Sequence, residues 1–112
     1  MSNQTINKNV VHDILIWISL NTERQLHISD IANKAGYSKW HFQRVFKDIV
    51  GVSLGQYMLI SRLLNVMADL KKTNDNIIDI AFRYGFDSQQ ELNRAFKREL
   101  KITPGRYRKS TL

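Results

Sequence analysis

Apolar residues recur along most of the chain at intervals of three and four, the spacing of one face of an α-helix. In residues 7 to 20 the face is made by Val10, Val11, Ile14, Leu15, Trp17 and Ile18. Phe42, Val45, Phe46 and Ile49 form a second stripe, and Leu92, Ala95, Phe96 and Leu100 a third. Between these lies a longer run, Leu54 to about Lys72. Its apolar surface is broad: Leu54, Tyr57, Met58, Ile60, Leu63, Leu64, Met67 and Leu70, extended by Leu59 and Val66. Such breadth is expected of a helix that packs on more than one side. No stretch alternates with the period of a strand, so the fold class is all-α, with about seven helices.

Start and stop residues sharpen the boundaries. Ser29 is the expected N-cap of a short helix ending at Ala35, and Gly36 follows where a left-handed C-cap belongs. Ser38 caps a helix from Lys39 to about Val50, and Ser53 caps the long helix. Asn76 opens a helix from Ile77 to Tyr84 that Gly85 ends, and either Asp87 or Ser88 caps Gln89 to about Leu100. Thr103-Pro104 begins a last short turn, with proline at its favoured first helical position.

The chain repeats itself. Ile28-Ser-Asp-Ile-Ala-Asn-Lys-Ala-Gly36-Tyr37 aligns with Ile77-Ile-Asp-Ile-Ala-Phe-Arg-Tyr-Gly85-Phe86. One inserted residue, Asp87, carries the match on: Ser38 with Ser88, Phe42 with Leu92, Arg44 with Arg94, Phe46 with Phe96, Lys47 with Lys97, Gly55 with Gly105, and Tyr57 with Tyr107. Each copy reads as helix, tight turn, helix. The expected organisation is two helix-turn-helix subdomains, 1–52 and 74–112, joined by a connecting helix, 53–73. At ~1.5 Å per residue that helix is roughly 29 Å long. One turn of DNA is ~34–36 Å. The connector therefore suits two reading heads about one turn apart.

Charge and composition narrow the function classes. The formal net charge of the 112-residue chain is +7. Residues 1–30 carry a net −1, from Lys8 and Arg24 against Asp13, Glu23 and Asp30. Residues 89–109 carry a net +5, from Arg94, Lys97, Arg98, Lys101, Arg106, Arg108 and Lys109 against Glu91 and Glu99. A basic end of this kind fits a polyanion partner. There is no cysteine, which excludes disulfides, thiolate metal sites and thiol catalysis. His12, His27 and His41 lack metal-ligand spacing, and there is no phosphate-loop glycine pattern or paired-carboxylate motif. No enzyme, cofactor or metal is expected. No run is long and apolar enough for a membrane span, and residues 1–9 do not read as a secretory signal. A reducing cytoplasm fits the absence of cysteine.

The outward face of each second helix carries the candidate chemistry. In the first copy it is Trp40, Gln43, Arg44 and Lys47. In the second it is Gln90, Asn93, Arg94 and Lys97, with Gln89 beside them. Arginine can bond guanine O6 and N7 bidentately, and glutamine or asparagine can do the same with adenine N6 and N7. Lys47 and Lys97, further along, suit phosphate. Trp40 suits a thymine methyl or the sugar backbone, or else packs against the N-terminal helix. Trp17, Tyr57 and Tyr107 read as core. Other readings of the same heads are a repressor or architectural protein, or a protein-interaction module with DNA secondary.

These motifs resemble the AraC/XylS family of bacterial transcription regulators, and within it the small stand-alone Mar/Sox/Rob-type activators of multidrug and oxidative stress resistance. The resemblance rests on Gly36-Tyr-Ser-Lys-Trp-His-Phe-Gln-Arg44-Val-Phe-Lys47, Ser53-Leu-Gly-Gln-Tyr57 and Arg83-Tyr-Gly-Phe-Asp-Ser-Gln-Gln90. It continues in Arg94-Ala-Phe-Lys97, Thr103-Pro104 and Tyr107-Arg108, and covers about residues 8 to 109. It implies monomeric binding to an asymmetric site on bent double-stranded DNA, and activation through RNA polymerase. Carried over by position, Trp40, Gln43 and Arg44 read one groove, and Gln89, Gln90, Asn93 and Arg94 the other. Two departures stand out. Leu59 and Ser61 occupy connecting-helix positions that are basic in relatives, leaving Arg62 there. Glu91 and Asn93 replace small hydroxyl residues, so that Glu91 faces either a cytosine N4 or a phosphate. No effector domain fits in a chain of this length, so abundance rather than a ligand is expected to set activity.

Overall fold

The computed structural model describes residues 3–21 and 27–111, with side chains from Lys8 onward. Glu23 and Arg24, counted above in the amino-terminal charge balance, lie outside the described residues. The elements are α1 (Asn3–Leu20), α2 (Ile28–Ala35), α3 (Lys39–Val50), α4 (Leu54–Lys72), α5 (Ile77–Arg83), α6 (Gln89–Leu100) and α7 (Pro104–Lys109), with no strand among the described residues. No single helix is long and apolar enough to cross a membrane.

The caps explain most of these boundaries. Ser38, Ser53, Ser88 and Thr103 each accept a bond from an amide in the first turn of the helix that follows. This satisfies one of the amides a helix start leaves without a partner. Gly36 and Gly85 hold left-handed φ of 81° and 84°, which glycine adopts without strain. Three boundaries differ from the sequence expectation. The first helix begins at Asn3, earlier than the expected residue 7, whose reading rested on the apolar face that starts at Val10. α2 begins at Ile28 behind an extended His27, and Ser29 is inside it. Asp30 accepts a bond from the His27 amide at 3.4 Å, and this carboxylate replaces the expected serine cap. α5 ends at Arg83, one residue early, with Tyr84 as its cap.

The described residues divide into two compact units whose boundary falls inside α4, between Ile60 and Ser61. In the first, α1, α2, α3 and the start of α4 surround Val11, Ile14, Ile18, Ile31, Phe42, Phe46 and Leu54. In the second, the remainder of α4 joins α5, α6 and α7, and buries Leu63, Val66, Leu70, Ile80, Leu92, Phe96 and Pro104. Trp17, Tyr57 and Tyr107 are half-buried in these cores, as expected. Ile60 and Leu64, read as part of the buried surface of α4, are instead 40% and 59% exposed, whereas Val66 is fully buried. A hydrophobic stripe shows which residues a helix can bury, and the packed neighbours decide which it does bury.

The duplication is larger than the sequence match. The start of α4 in the first unit corresponds to α7 in the second. Leu54 and Pro104 are both buried, behind left-handed residues Gly51 and Lys101. Tyr57 meets the Phe46 ring at 5.6 Å, and Tyr107 meets Phe96 at 5.7 Å. At the other end α1 corresponds to the second part of α4. Val11, Ile14 and Ile18 are buried as Leu63, Val66 and Leu70 are. Asn21 bonds the Trp17 carbonyl at 2.7 Å, and Thr73 bonds the Asp69 carbonyl at 2.9 Å. Each unit is thus a four-helix module, and α4 is both the last helix of one and the first of the other.

Candidate nucleic-acid interface

Within each unit the core stripe fixes which face of the second helix is free. Phe42, Val45 and Phe46 are buried on α3, with Ile49 half-buried. This leaves Trp40, Arg44 and Lys47 exposed and Gln43 half-buried on the opposite side. Leu92, Ala95 and Phe96 do the same on α6, leaving Gln90, Arg94 and Lys97 exposed and Gln89 and Asn93 half-buried. Every sequence-predicted site residue therefore lies on one of two helix faces, four on α3 and five on α6. Trp40 is 69% exposed, so it does not pack on the N-terminal helix. The guanidinium carbon of Arg44 sits 5.3 Å from the centre of its ring. Shallow grooves flank this pair, one reaching His41 and Asp48, the other reaching Lys47 and Ser53.

The start of α6 is built differently. The Glu91 carboxylate accepts a bond from the Asp87 amide at 2.8 Å, and the Ser88 hydroxyl accepts from the Glu91 amide at 3.0 Å. Of the two cap candidates Ser88 is the one used, and Glu91 closes the turn rather than standing free toward a base. Arg62 is half-buried with its guanidinium 5.7 Å from the Phe86 ring centre. Burial lowers its pKa, an effect the carboxylates of Glu91 and Asp87 oppose. Its position on α4 could be read from the sequence, but its partner could not, because Phe86 and Glu91 are more than twenty residues away.

Several basic residues of the C-terminal region are structural. Arg108 donates to the carbonyls of Leu70 and Thr73 at the end of α4. Lys71 donates to those of Tyr107 and Ser110 at the end of α7. Each helix end thus receives a cation from the other, which favours its terminal carbonyls and dipole. Arg98 pairs with Glu99 at 3.0 Å, and Lys101 bonds the Arg98 carbonyl at 2.9 Å. The side chains of Arg94, Lys97, Arg106 and Lys109 make no hydrogen bond or ion pair among the described residues, so the free positive charge is narrower than the count over 89–109 implied. No cluster of three metal-ligating side chains occurs among the described residues.

A helix-turn-helix domain family matches residues 31–110. The TetD protein of transposon Tn10 from Escherichia coli is 46% identical over 103 residues, covering 92% of this chain and 75% of that protein. The chain belongs to the AraC/XylS family of transcription regulators. Family members act by binding DNA and are not enzymes. The multiple antibiotic resistance protein MarA of Escherichia coli K12 is 40% identical over all 112 residues and 88% of its own length. The transcriptional regulator Rob of Salmonella typhimurium is 44% identical over 91% of this chain, which spans only 35% of Rob. Among solved structures, the DNA-binding domain of AdpA in complex with a target DNA superposes with a TM-score of 0.84 at 25% identity. That match covers 88% of this chain and 89% of that domain. The AraC/XylS fold accounts for the seven helices and for both helix-turn-helix units.

Proposed function

We propose that this AraC/XylS regulator reads an asymmetric duplex site as a monomer and activates promoters of multidrug or stress resistance genes through RNA polymerase. The observation that carries the reading is the pair of matched outward faces within one chain. Trp40, Gln43, Arg44 and Lys47 on α3 serve one major groove, and Gln89, Gln90, Asn93, Arg94 and Lys97 on α6 serve the next. One chain then supplies two heads, which dimeric helix-turn-helix proteins obtain from two chains. Residues 1–52 and 74–112 act as the heads and 53–73 as the connector. The partner is promoter DNA, and the site of action is the cytoplasm, at the nucleoid. The names of relatives support activation and resistance: MarA is a multiple antibiotic resistance protein, and AarP of Providencia stuartii is a transcriptional activator.

Selection of bound duplexes from a random library, followed by native mass measurement of the complex, tests this. The expected result is one enriched asymmetric sequence with two conserved blocks about a helical turn apart, bound one to one. Two chains on one minimal site, or no enrichment over random duplex, overturns it.

A further inference from the structure

Among the large hydrophobic side chains of α3 and α6, Trp40 alone is exposed, at 69%. It buries too little for packing to account for it. What it touches is Arg44, one turn further along the same face, with the guanidinium carbon 5.3 Å from the ring centre. Arg44 is exposed and has a second neighbour of opposite charge one more turn along, Asp48. No ion pair forms between them, and the ring is the contact the guanidinium takes.

An arginine on an open helix face samples many rotamers, and ordering it on binding carries an entropic cost. A ring beneath the guanidinium narrows that set before any partner arrives. The N–H groups lie in the guanidinium plane, so a cation held over a ring keeps its fork available for a base edge. The second head has no such platform. Gln90 stands where the repeat places Trp40, and Arg94, the counterpart of Arg44, makes no hydrogen bond, ion pair or ring contact among the described residues.

We propose that Trp40 is a positioning residue. Its ring pre-orders Arg44 for base reading, so the first head discriminates its base pair more sharply than the second, whose Arg94 is ordered only on binding. The proposal rests on α3 and α6 being the base-reading helices, as argued above.

The test has two arms on the full chain. Without DNA, nitrogen-15 relaxation of arginine Nε–H groups is expected to show Arg44 more ordered than Arg94. The contrast is lost in Trp40→Leu, which keeps apolar bulk without a ring, and retained in Trp40→Phe. Because Trp40 is exposed, these variants should keep the wild-type melting temperature. An Arg44 as mobile as Arg94, or unchanged by Trp40→Leu, overturns the proposal. With DNA, Trp40→Leu is expected to flatten base preference about two- to fivefold, the scale of an exposed cation–π contact. The flattening should fall at the base pair that Arg44→Ala also flattens, and should be much smaller in the Arg44→Ala background, where only the ring's own groove contact remains. Gln90→Trp should sharpen preference at the base pair read by Arg94. A Trp40→Leu loss of equal size with and without Arg44 means that the ring contacts DNA on its own account, and the positioning role falls. If no duplex is bound selectively, the proposed function falls, while the relaxation arm still decides whether the ring orders the arginine.

Discussion

The two heads close the same joint with different chemistry. In the first, Lys34 near the end of α2 sits 5.8 Å from the Trp17 ring centre on α1. In the second, the matched cation is Arg83 at the end of α5, and the matched partner is Asp69 on α4. Arg83 bonds Asp69 and Asp75, at 2.5 and 2.9 Å, and the Tyr84 hydroxyl donates to Asp69 at 2.9 Å. The hydrogen bonds it donates to the carboxylates of Asp75 and Asp69 raise the guanidinium pKa above its ordinary value. The duplicated fold thus specifies that a cation faces the neighbouring helix at this point, but not whether a ring or a carboxylate meets it. A cation over a ring tolerates many approach angles, whereas a two-carboxylate arrangement with a hydroxyl also bonded to one of them admits few. The second joint is accordingly the more tightly specified of the two.

The largest expected effect breaks each head in turn. Phe42 and Phe96 are fully buried in their separate cores. Phe42→Ala or Phe96→Ala should each cost about 3–5 kcal/mol. Each unit is small and marginal by itself, so that loss should unfold it. Amide exchange should lose protection in α2 and α3 for the first variant, and in α5, α6 and α7 for the second. Protection lost equally everywhere in both variants would mean that the heads do not fold as distinguishable units.

The joint itself gives the next contrast. Asp69→Ala removes an acceptor of the Tyr84 hydroxyl and one of the two carboxylates that Arg83 bonds, and should cost about 1–3 kcal/mol. Lys34→Ala removes only an exposed cation–π contact and should cost less than about 1 kcal/mol. Urea melts of the two variants compare them directly, and equal losses would remove the claim that the second joint is the more specific.

On DNA the heads are compared through their arginines. Arg44→Ala and Arg94→Ala should each cost roughly 1–3 kcal/mol on the selected site and relax preference at one base pair. The Arg44 effect should be the larger, and competition binding with single-base-pair variants of the site measures both. An equal fall in specific and random binding would remove these arginines from base reading. Lys47→Ala and Lys97→Ala should instead weaken all duplexes alike and lower the salt slope by about one. Binding measured between low and moderate salt reads this smallest change, and an unaltered slope would place the lysines away from phosphate.

Much of this architecture was legible because it is local. Caps and glycine stops act over three or four residues, so Ser38, Ser53, Ser88 and Thr103 marked their helices correctly. Where a competing local partner existed, the reading failed: the carboxylate of Asp30 reaches back to His27, and the helix starts before Ser29. The outward faces of α3 and α6 were legible for the same reason, since burying Phe42 and Phe46, or Leu92 and Phe96, leaves only one side free.

What the chain alone determined is thus its helical class, most of its helix ends, its repeat and the residues that the outward faces of α3 and α6 present. All of these depend on neighbours within a turn or two, or on direct comparison of one stretch with another. Tertiary structure decided the rest. It showed which residues of α4 are buried in each module and that Ile60 and Leu64 face outward. It stacked Arg62 over Phe86, folded Glu91 back onto the Asp87 amide, and assigned Arg108 and Lys71 to helix ends. These outcomes join residues far apart in sequence, or depend on which side of a helix its neighbours cover. Hydrophobic periodicity does not name a distant partner, and on a helix as broadly apolar as α4 it does not say which side is covered, because it reports what a residue prefers and not which partner the fold brings to it.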